Sequence, residues 1–470
     1  RVAALAVVVG SLAAINTWDV PAYGLLSLGA VAVSVALRHR GRVRPMTIVG
    51  WGAWLAGFWA LAYLAWAPFH LHYDAPSGGV EPGKWRTVTW QYVAIHAVVA
   101  FGALSWLAAV SWRTELRRRV LSRPMARRAA ALLVGVVLVA LTLWVAAPPL
   151  REWTTFTLLS LALAATLAQM GLWAVRRRAE PETPVRLLVA GMLALALGIG
   201  AGVDVVRVTP DIDRMNTIFK LGLNAWVLYA LAGGAGLWHL WATGALRRHS
   251  GPLGPLRHGW VTLAVVLGLA GLVFPIWGTL ARVDDRFDNS VGLTLDGEAY
   301  LGTAVYGDPG PADTKADDAR YPLADDAEAL AYLREHTVGT PVVLEAAYRH
   351  GYRWYPRVAA YTGLPVVVGW EWHQEQQRGD GGRITRYVRA RLADVETAYA
   401  TTSEEALRAV LARYGVDYIY LGPTERAYFP PEGLPKFEAL EGRGLDVFFT
   451  NGQVRIYRVD GAWRDKSDTL

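Results

Sequence analysis

Eight stretches of the sequence, at 20–37, 45–66, 88–112, 129–147, 154–175, 187–203, 214–245 and 257–280, are apolar over about the twenty residues a helix needs to cross a bilayer. A shorter run at 2–15 has the character of a truncated span. In hydrocarbon a backbone must satisfy its own N–H and C=O groups, so runs of this length predict helices. The expected fold is therefore an α-helical multipass membrane domain of about nine transmembrane helices. Composition agrees: hydrophobic residues make up 53% of the chain, charged ones 19%, and the mean hydropathy is +0.23.

The loops between these stretches alternate in charge. Segments 38–44, 113–128, 176–186 and 246–258 carry 18 Arg and three Glu, whereas 16–19, 67–87, 148–153 and 204–213 carry four basic and seven acidic residues. By the positive-inside rule the first set is cytoplasmic. The second set, and everything after residue 281, then lies on the non-cytoplasmic side of a cell membrane. The net charge of +7 gives no case for nucleic acid, because the basic excess sits in membrane loops and the tail is acidic. With no Cys there is no disulfide framework, thiolate metal site or cysteine nucleophile. The chain opens on Arg1 already within an apolar run, so an N-terminal portion is expected upstream.

Beyond residue 281 the character changes. Asp, Gly and Pro crowd 284–326, and strand patterns at 341–344, 365–368, 416–421, 447–449 and 454–459 alternate with helical ones at 327–336 and 403–414. Ser403 and Gly415 are a natural start and stop for the last helix. The expected organisation is a transmembrane helical domain over 1–281, an Asp/Gly/Pro-rich linker over 282–324 and a small extracytoplasmic α/β domain over 325–470.

Charge gathers at one place where it is costly. Asp204, Arg207, Asp211, Asp213, Arg214, Asn216 and Lys220 separate two apolar runs, the last three on the opening turns of a predicted membrane helix. Such groups either snorkel to the interface or serve a function. Asp211 and Asp213, at alternate positions, could hold Mg²⁺ or Mn²⁺. Arg214 and Lys220 at a helix start suit a phosphate. A second polar cluster, Asn16-Thr17-Trp18-Asp19-Val20-Pro21, reads either as a helix cap with an interfacial Trp or as part of the same cavity. His70, His72 and Asp74 read as metal ligands or as a solvated loop. In the tail, Gly369-Trp370-Glu371-Trp372-His373 follows a predicted strand and combines aromatic platforms with an acid and an imidazole, a composition suited either to sugar stacking or to a membrane-facing loop. The chain has no P-loop, no G-x-S-x-G elbow and no zinc-protease helix.

Three segments together, Asn16 to Tyr23, Arg214 to Lys220, and Arg357-Val358-Ala359-Ala360-Tyr361-Thr362-Gly363-Leu364-Pro365 leading to Gly369-Trp370 and His373, resemble in order and spacing the YYY family of large prokaryotic membrane proteins. That family is similar to the class C (GT-C) glycosyltransferases, multipass enzymes that use polyprenyl-phosphate sugars on the non-cytoplasmic face. The resemblance implies a GT-C-like fold and makes Asp19, Arg214, Asn216, Lys220 and His373 motif positions. The triple-tyrosine segment and the acidic first external loop of such enzymes would lie upstream of Arg1: they belong to a missing segment or a separate chain, or the protein has lost them, and the start within an apolar run favours the first.

The expectation is a glycosyltransferase moving a sugar from a polyprenyl-phosphate-linked donor, within membrane lipid, to an extracytoplasmic acceptor. A carboxylate upstream of Arg1, or Asp19 or Asp213, would be the general base; Arg214, Asn216, Lys220, Trp18, Glu371 and His373 would bind substrate or phosphate. The other readings are a transporter or flippase of a lipid-linked or anionic substrate, and a noncatalytic subunit of a membrane glycosylation complex.

Overall fold

A computed structural model of the chain describes residues 2–38, 45–73, 79–111, 151–176, 180–209, 213–244, 254–287, 289–308, 319–349, 352–377 and 382–464. The chain is mostly helical and divides into two compact units, Arg1–Gly278 and Thr279–Leu470.

Five of the described helices are long and apolar enough to cross a membrane: Thr89–Ser111, Thr154–Val175, Thr183–Gly202 and Met215–Ala242 in the first unit, and Arg257–Arg286, which runs past Gly278. Shorter apolar helices cover Ala3–Ile15, Asp19–Ser34 and Val49–Leu64. The expected span at 129–147 lies outside the described residues. We label as α1 to α7 the helices Val2–Ile15, Asp19–Arg38, Pro45–Leu64, Thr89–Ser111, Thr154–Arg176, Thr183–Gly202 and Met215–Ala242. α7 packs on α4 and α6, and α6 also packs on α5.

Small residues allow the approach of α4 and α7, as expected where lipid supplies no hydrophobic drive between helices. A Cβ at Gly102 would stand 2.9 Å from the Gly233 carbonyl oxygen, and one at Gly233 would stand 2.6 Å from that of Val99. The seam also buries Trp106, Leu228 and Tyr229, and the Tyr92 and Tyr229 hydroxyls meet at 3.0 Å. A short antiparallel ribbon, β1 (Gly79–Pro82) and β2 (Val206–Thr209), joins the loop before α4 to the loop after α6.

The second unit is a small α/β fold. Its strands β5 (Val342–Leu344), β6 (Val416–Leu421), β7 (Leu445–Thr450) and β8 (Arg455–Val459) lie in the order β5–β6–β8–β7, with β5 and β6 parallel and the other pairs antiparallel. Alternate residues face opposite layers, as the two-residue strand period requires. Tyr420 and Ile456 join Leu330 and Leu333 of α8 (Ala324–His336) on one face. On the other, Ile419, Leu421 and Tyr457 join Val395, Tyr399, Leu407 and Leu411. The last four come from α11 (Arg383–Ala400) and α12 (Glu404–Tyr414), which the short helices α9 (Arg357–Thr362) and α10 (Glu371–Gln377) precede in the chain.

Ser403 caps α12 by accepting from the Ala406 N–H at 3.2 Å, and Gly415 ends it in the left-handed region. Where a strand was expected at 365–368, there is a single rung: Val343 N–H donates to the Pro365 carbonyl and Val366 bridges to Val343. Pro365 has no N–H to extend the ladder, and Gly369 turns the chain at φ +78. The stretch expected as a linker carries a hairpin, β3 (Val305–Asp308) with β4 (Ala319–Pro322), over a small core of Leu301, Tyr321 and Leu323.

Candidate functional site

The opening of α7 is fixed from below by a buried ion pair. Arg214 donates from Nη1 to Asp204 Oδ1 at 2.7 Å and to the Val203 carbonyl at 3.0 Å, and from Nη2 to Thr87 Oγ1 at 3.3 Å. Asp204 Oδ1 also accepts from the Thr87 N–H at 2.9 Å and its hydroxyl at 2.5 Å. Asp204 is fully buried and Arg214 nearly so. The second carboxylate oxygen, Oδ2, has no hydrogen-bond partner among the described residues. Thr155, at the start of α5, donates to the Thr87 carbonyl at 2.7 Å and draws a third helix into the same knot.

Above this knot the β1–β2 ribbon sets the turn that precedes α7. Arg207 pairs with Glu81 at 2.8 Å and donates to the Asp213 carbonyl at 2.6 Å. Asp213 is exposed and adopts φ +52, a left-handed conformation that Asp tolerates better than most residues. Thr217 accepts from the Val208 N–H at 3.0 Å, tying the first turn of α7 to β2.

One and two turns further on, α7 presents Lys220 and Asn224, in line with Asn216 at intervals of four residues. Asn224 donates from Nδ2 to Asp19 Oδ1 at 2.9 Å, which joins α7 to the first turn of α2. The Lys220 ammonium stands 5.0 Å from the centroid of the Trp18 ring, a cation–π distance. Among the described residues no carboxylate lies within ion-pair distance of Lys220. Trp18, Asp19, Asn216 and Lys220 are all half-buried. The structure thus brings Trp18, Asp19 and Lys220 together, with Asn224 as a member the sequence reading missed. Its signal was its place four residues after Lys220 within an apolar helix. Arg214 is engaged by Asp204 below them.

An apolar crevice of about 470 Å³ opens between α2, α5 and α6, lined by Leu25, Val33, Met170, Leu187, Gly191 and Leu195 among others. Along α2 its upper end, Leu25, is six residues from Asp19, about 9 Å of helix at 1.5 Å per residue.

In the second unit Glu371 is buried and accepts from the Tyr355 hydroxyl at 2.6 Å, while His373 is exposed, its Nδ1 3.2 Å from the Tyr352 hydroxyl. A second buried knot lies beneath. Arg357 donates from Nε to Asp326 at 3.0 Å and from Nη2 to Glu425 at 2.7 Å, with Glu345 at 4.0 Å. Glu345 also accepts from the Val358 and Ala359 N–H groups. Burial, opposed by Arg357 and helped by Glu425, pushes the Glu345 carboxyl up to about 8.

For a metal, Asp211 lies outside the described residues, and His70 stacks on Tyr63 at 4.3 Å. Among the described residues no group of three His, Asp or Glu side chains could enclose an ion.

Residues 1–229 match the model of a family described as "Uncharacterized membrane protein (DUF2298)". That segment contains the α1–α6 helices, the Asp204–Arg214 knot and the Trp18, Asp19, Lys220 and Asn224 cluster, and it ends within α7. No curated protein and no solved structure matches the chain. The match and the five candidate spans make this a multipass membrane protein.

Proposed function

We propose that this membrane protein transfers a sugar from a polyprenyl-phosphate-linked donor to an acceptor on the non-cytoplasmic side. The observation that carries the reading is the Lys220 ammonium, held on Trp18 beside the Asp19–Asn224 pair at a helix opening, with no carboxylate among the described residues within ion-pair distance. A cation at the edge of an apolar bundle is expensive unless an anion meets it. A lipid phosphate supplies that anion, and the crevice along α2 has room for part of its hydrocarbon chain.

In the proposed step the acceptor hydroxyl oxygen attacks the anomeric carbon of the donor. The bond from that carbon to the phosphate oxygen breaks, and its electron pair leaves with the phosphate. Lys220 stabilises the growing phosphate charge, and Asn216, on the same face of α7, orients it. The hydroxyl proton passes to a carboxylate, Asp19 in the cluster or Asp213 at the exposed turn. Arg214 supports the step from below by holding the first turn of α7. A divalent cation at Asp211 and Asp213 would add to the charge stabilisation.

The full-length chain in liposomes, given a radiolabelled polyprenyl-phosphate sugar, tests this. Release of label from the lipid is expected to fall at least tenfold in Lys220→Ala, the loss of one charge-assisted contact, and to recover in part in Lys220→Arg. Unchanged release in Lys220→Ala overturns the reading. Movement of intact labelled lipid across the bilayer, without release, assigns the same cluster to transport.

A further inference from the structure

We propose that the second unit carries a saccharide-binding platform built from Tyr352, Trp370, Trp372 and His373, which binds a neutral oligosaccharide by stacking sugar rings on exposed aromatic faces. This stands apart from the lipid-phosphate reading, since it concerns other residues and a different readout.

The topology gathers these residues. β5, β6 and the Val366 rung run parallel, so the segments that leave them emerge at the carboxyl end of the sheet, the place where α/β folds bind ligands. The segment after β5 supplies Tyr352, and the segment after Val366 supplies Trp370, Trp372 and His373. The Tyr352 ring lies 5.5 Å from that of Trp370 at 66° and 5.9 Å from that of His373 at 71°. Edge-to-face contacts of this kind fix the rings while leaving faces open. Tyr352 is 60% exposed and Trp372 58% exposed, and His373 is exposed beside them.

Buried polar contacts hold the two segments in place underneath. Trp370 Nε1 donates to the Arg353 carbonyl at 2.8 Å, and the Tyr355 hydroxyl donates to the buried Glu371 carboxylate at 2.6 Å. Gly369, at φ +78, makes the turn that presents Trp370. The result is a pre-formed cluster of Tyr352 with Trp370 and His373, with the imidazole and the phenol hydroxyl at its rim and the exposed Trp372 next to it in the chain. A sugar ring matches that array in both respects: its C–H face is apolar, and its hydroxyls meet hydrogen-bonding groups at the edge. The only carboxylate of the Trp370–His373 segment, Glu371, is turned inward to Tyr355, so the surface that remains suits a neutral ligand.

The test uses the full-length protein in phosphatidylcholine nanodiscs, titrated with maltohexaose, cellohexaose and chitohexaose. At least one is expected to bind, with Trp372→Ala and Tyr352→Ala each weakening it about tenfold. No binding of any of the three, or binding unchanged by both substitutions, overturns the proposal. Because the sequence contains no Cys, a spin label on Trp372→Cys reports the surroundings of that position alone. Accessibility to a water-soluble relaxation agent supports the platform, and burial among lipid chains overturns it.

Discussion

Arg214 in the membrane unit and Arg357 in the α/β unit are both buried guanidinium groups at the start of a helix, yet they are neutralised in different ways. Arg357 faces three carboxylates, two of them, Asp326 and Glu425, in direct hydrogen bonds, and it stacks on Tyr420 at 4.3 Å. Asp326 is filled by donors from Arg357, Tyr420 and Trp354. Among the described residues Arg214 has one carboxylate, whose Oδ2 is left without a donor. The Arg357 knot draws four distant segments into one core, and the Arg214 knot pins the mouth of a helix on which polar groups are displayed. Buried charge is thus an organiser of the fold in one unit and a support for a candidate site in the other.

Removing Arg357 is the severest way to break this comparison. Arg357→Ala leaves Asp326 and Glu425 buried without their counter-charge, a loss of about 3–5 kcal/mol, enough to unfold a marginal domain. Protease digestion of the full-length chain should cut within the second unit while fragments of the membrane unit persist. Arg357→Lys should not rescue it, because an ammonium cannot bridge both acids as the planar fork does.

Removing Arg214 comes next. Arg214→Ala strands Asp204 alone and should cost about 3 kcal/mol, the low end for such pairs, because one acid rather than two is abandoned. Asp204→Asn in the same chain should restore part of the loss in a thermal unfolding series. If Arg214→Ala melts like the parent protein and only lipid-phosphate binding falls, Arg214 is a ligand contact and its role as a brace is refuted.

The helical stretches of the membrane unit were legible because a run of about twenty apolar residues has few other uses. Val416–Leu421 and the α12 caps were legible for a similar reason, since period, cap and stop all lie within a few residues. Lys220 and Asp19 could be noticed as polar groups beside apolar runs. Their partners could not. Thr87 meets Asp204 across 117 residues of sequence, where the β1–β2 ribbon brings their two loops together. Asp326, Glu345 and Glu425 likewise belong to separate elements, so nothing local marks them as surrounding Arg357. The single rung at Val366 was over-read as a strand because its apolar pattern is right, while Pro365 and Gly369 limit its pairing.

The smallest expected effect is also the most direct reading of charge balance in the second unit. With Asp326 and Glu425 already facing one guanidinium, a third buried anion has no counter-charge, and burial holds the Glu345 carboxyl up at about 8 against an ordinary 4.5. Between those values the folded protein keeps a proton that the unfolded chain has released. By linkage, stability falls as pH rises through this window and levels off above about 8. Lys436, lowered by burial to about 8, acts in the next window: there the unfolded chain binds the extra proton, so its contribution rises with pH from about 8 toward 10.5. Glu345→Gln removes the first slope and leaves the second. The melting temperature of the second unit should therefore fall between pH 5.5 and pH 8 in the parent protein and fall less in the variant, by a few degrees, on the order of 1 kcal/mol in a domain of this size. An equal fall in both would mean that Glu345 is already ionised across the window and that Arg357 is shared by three charges rather than two.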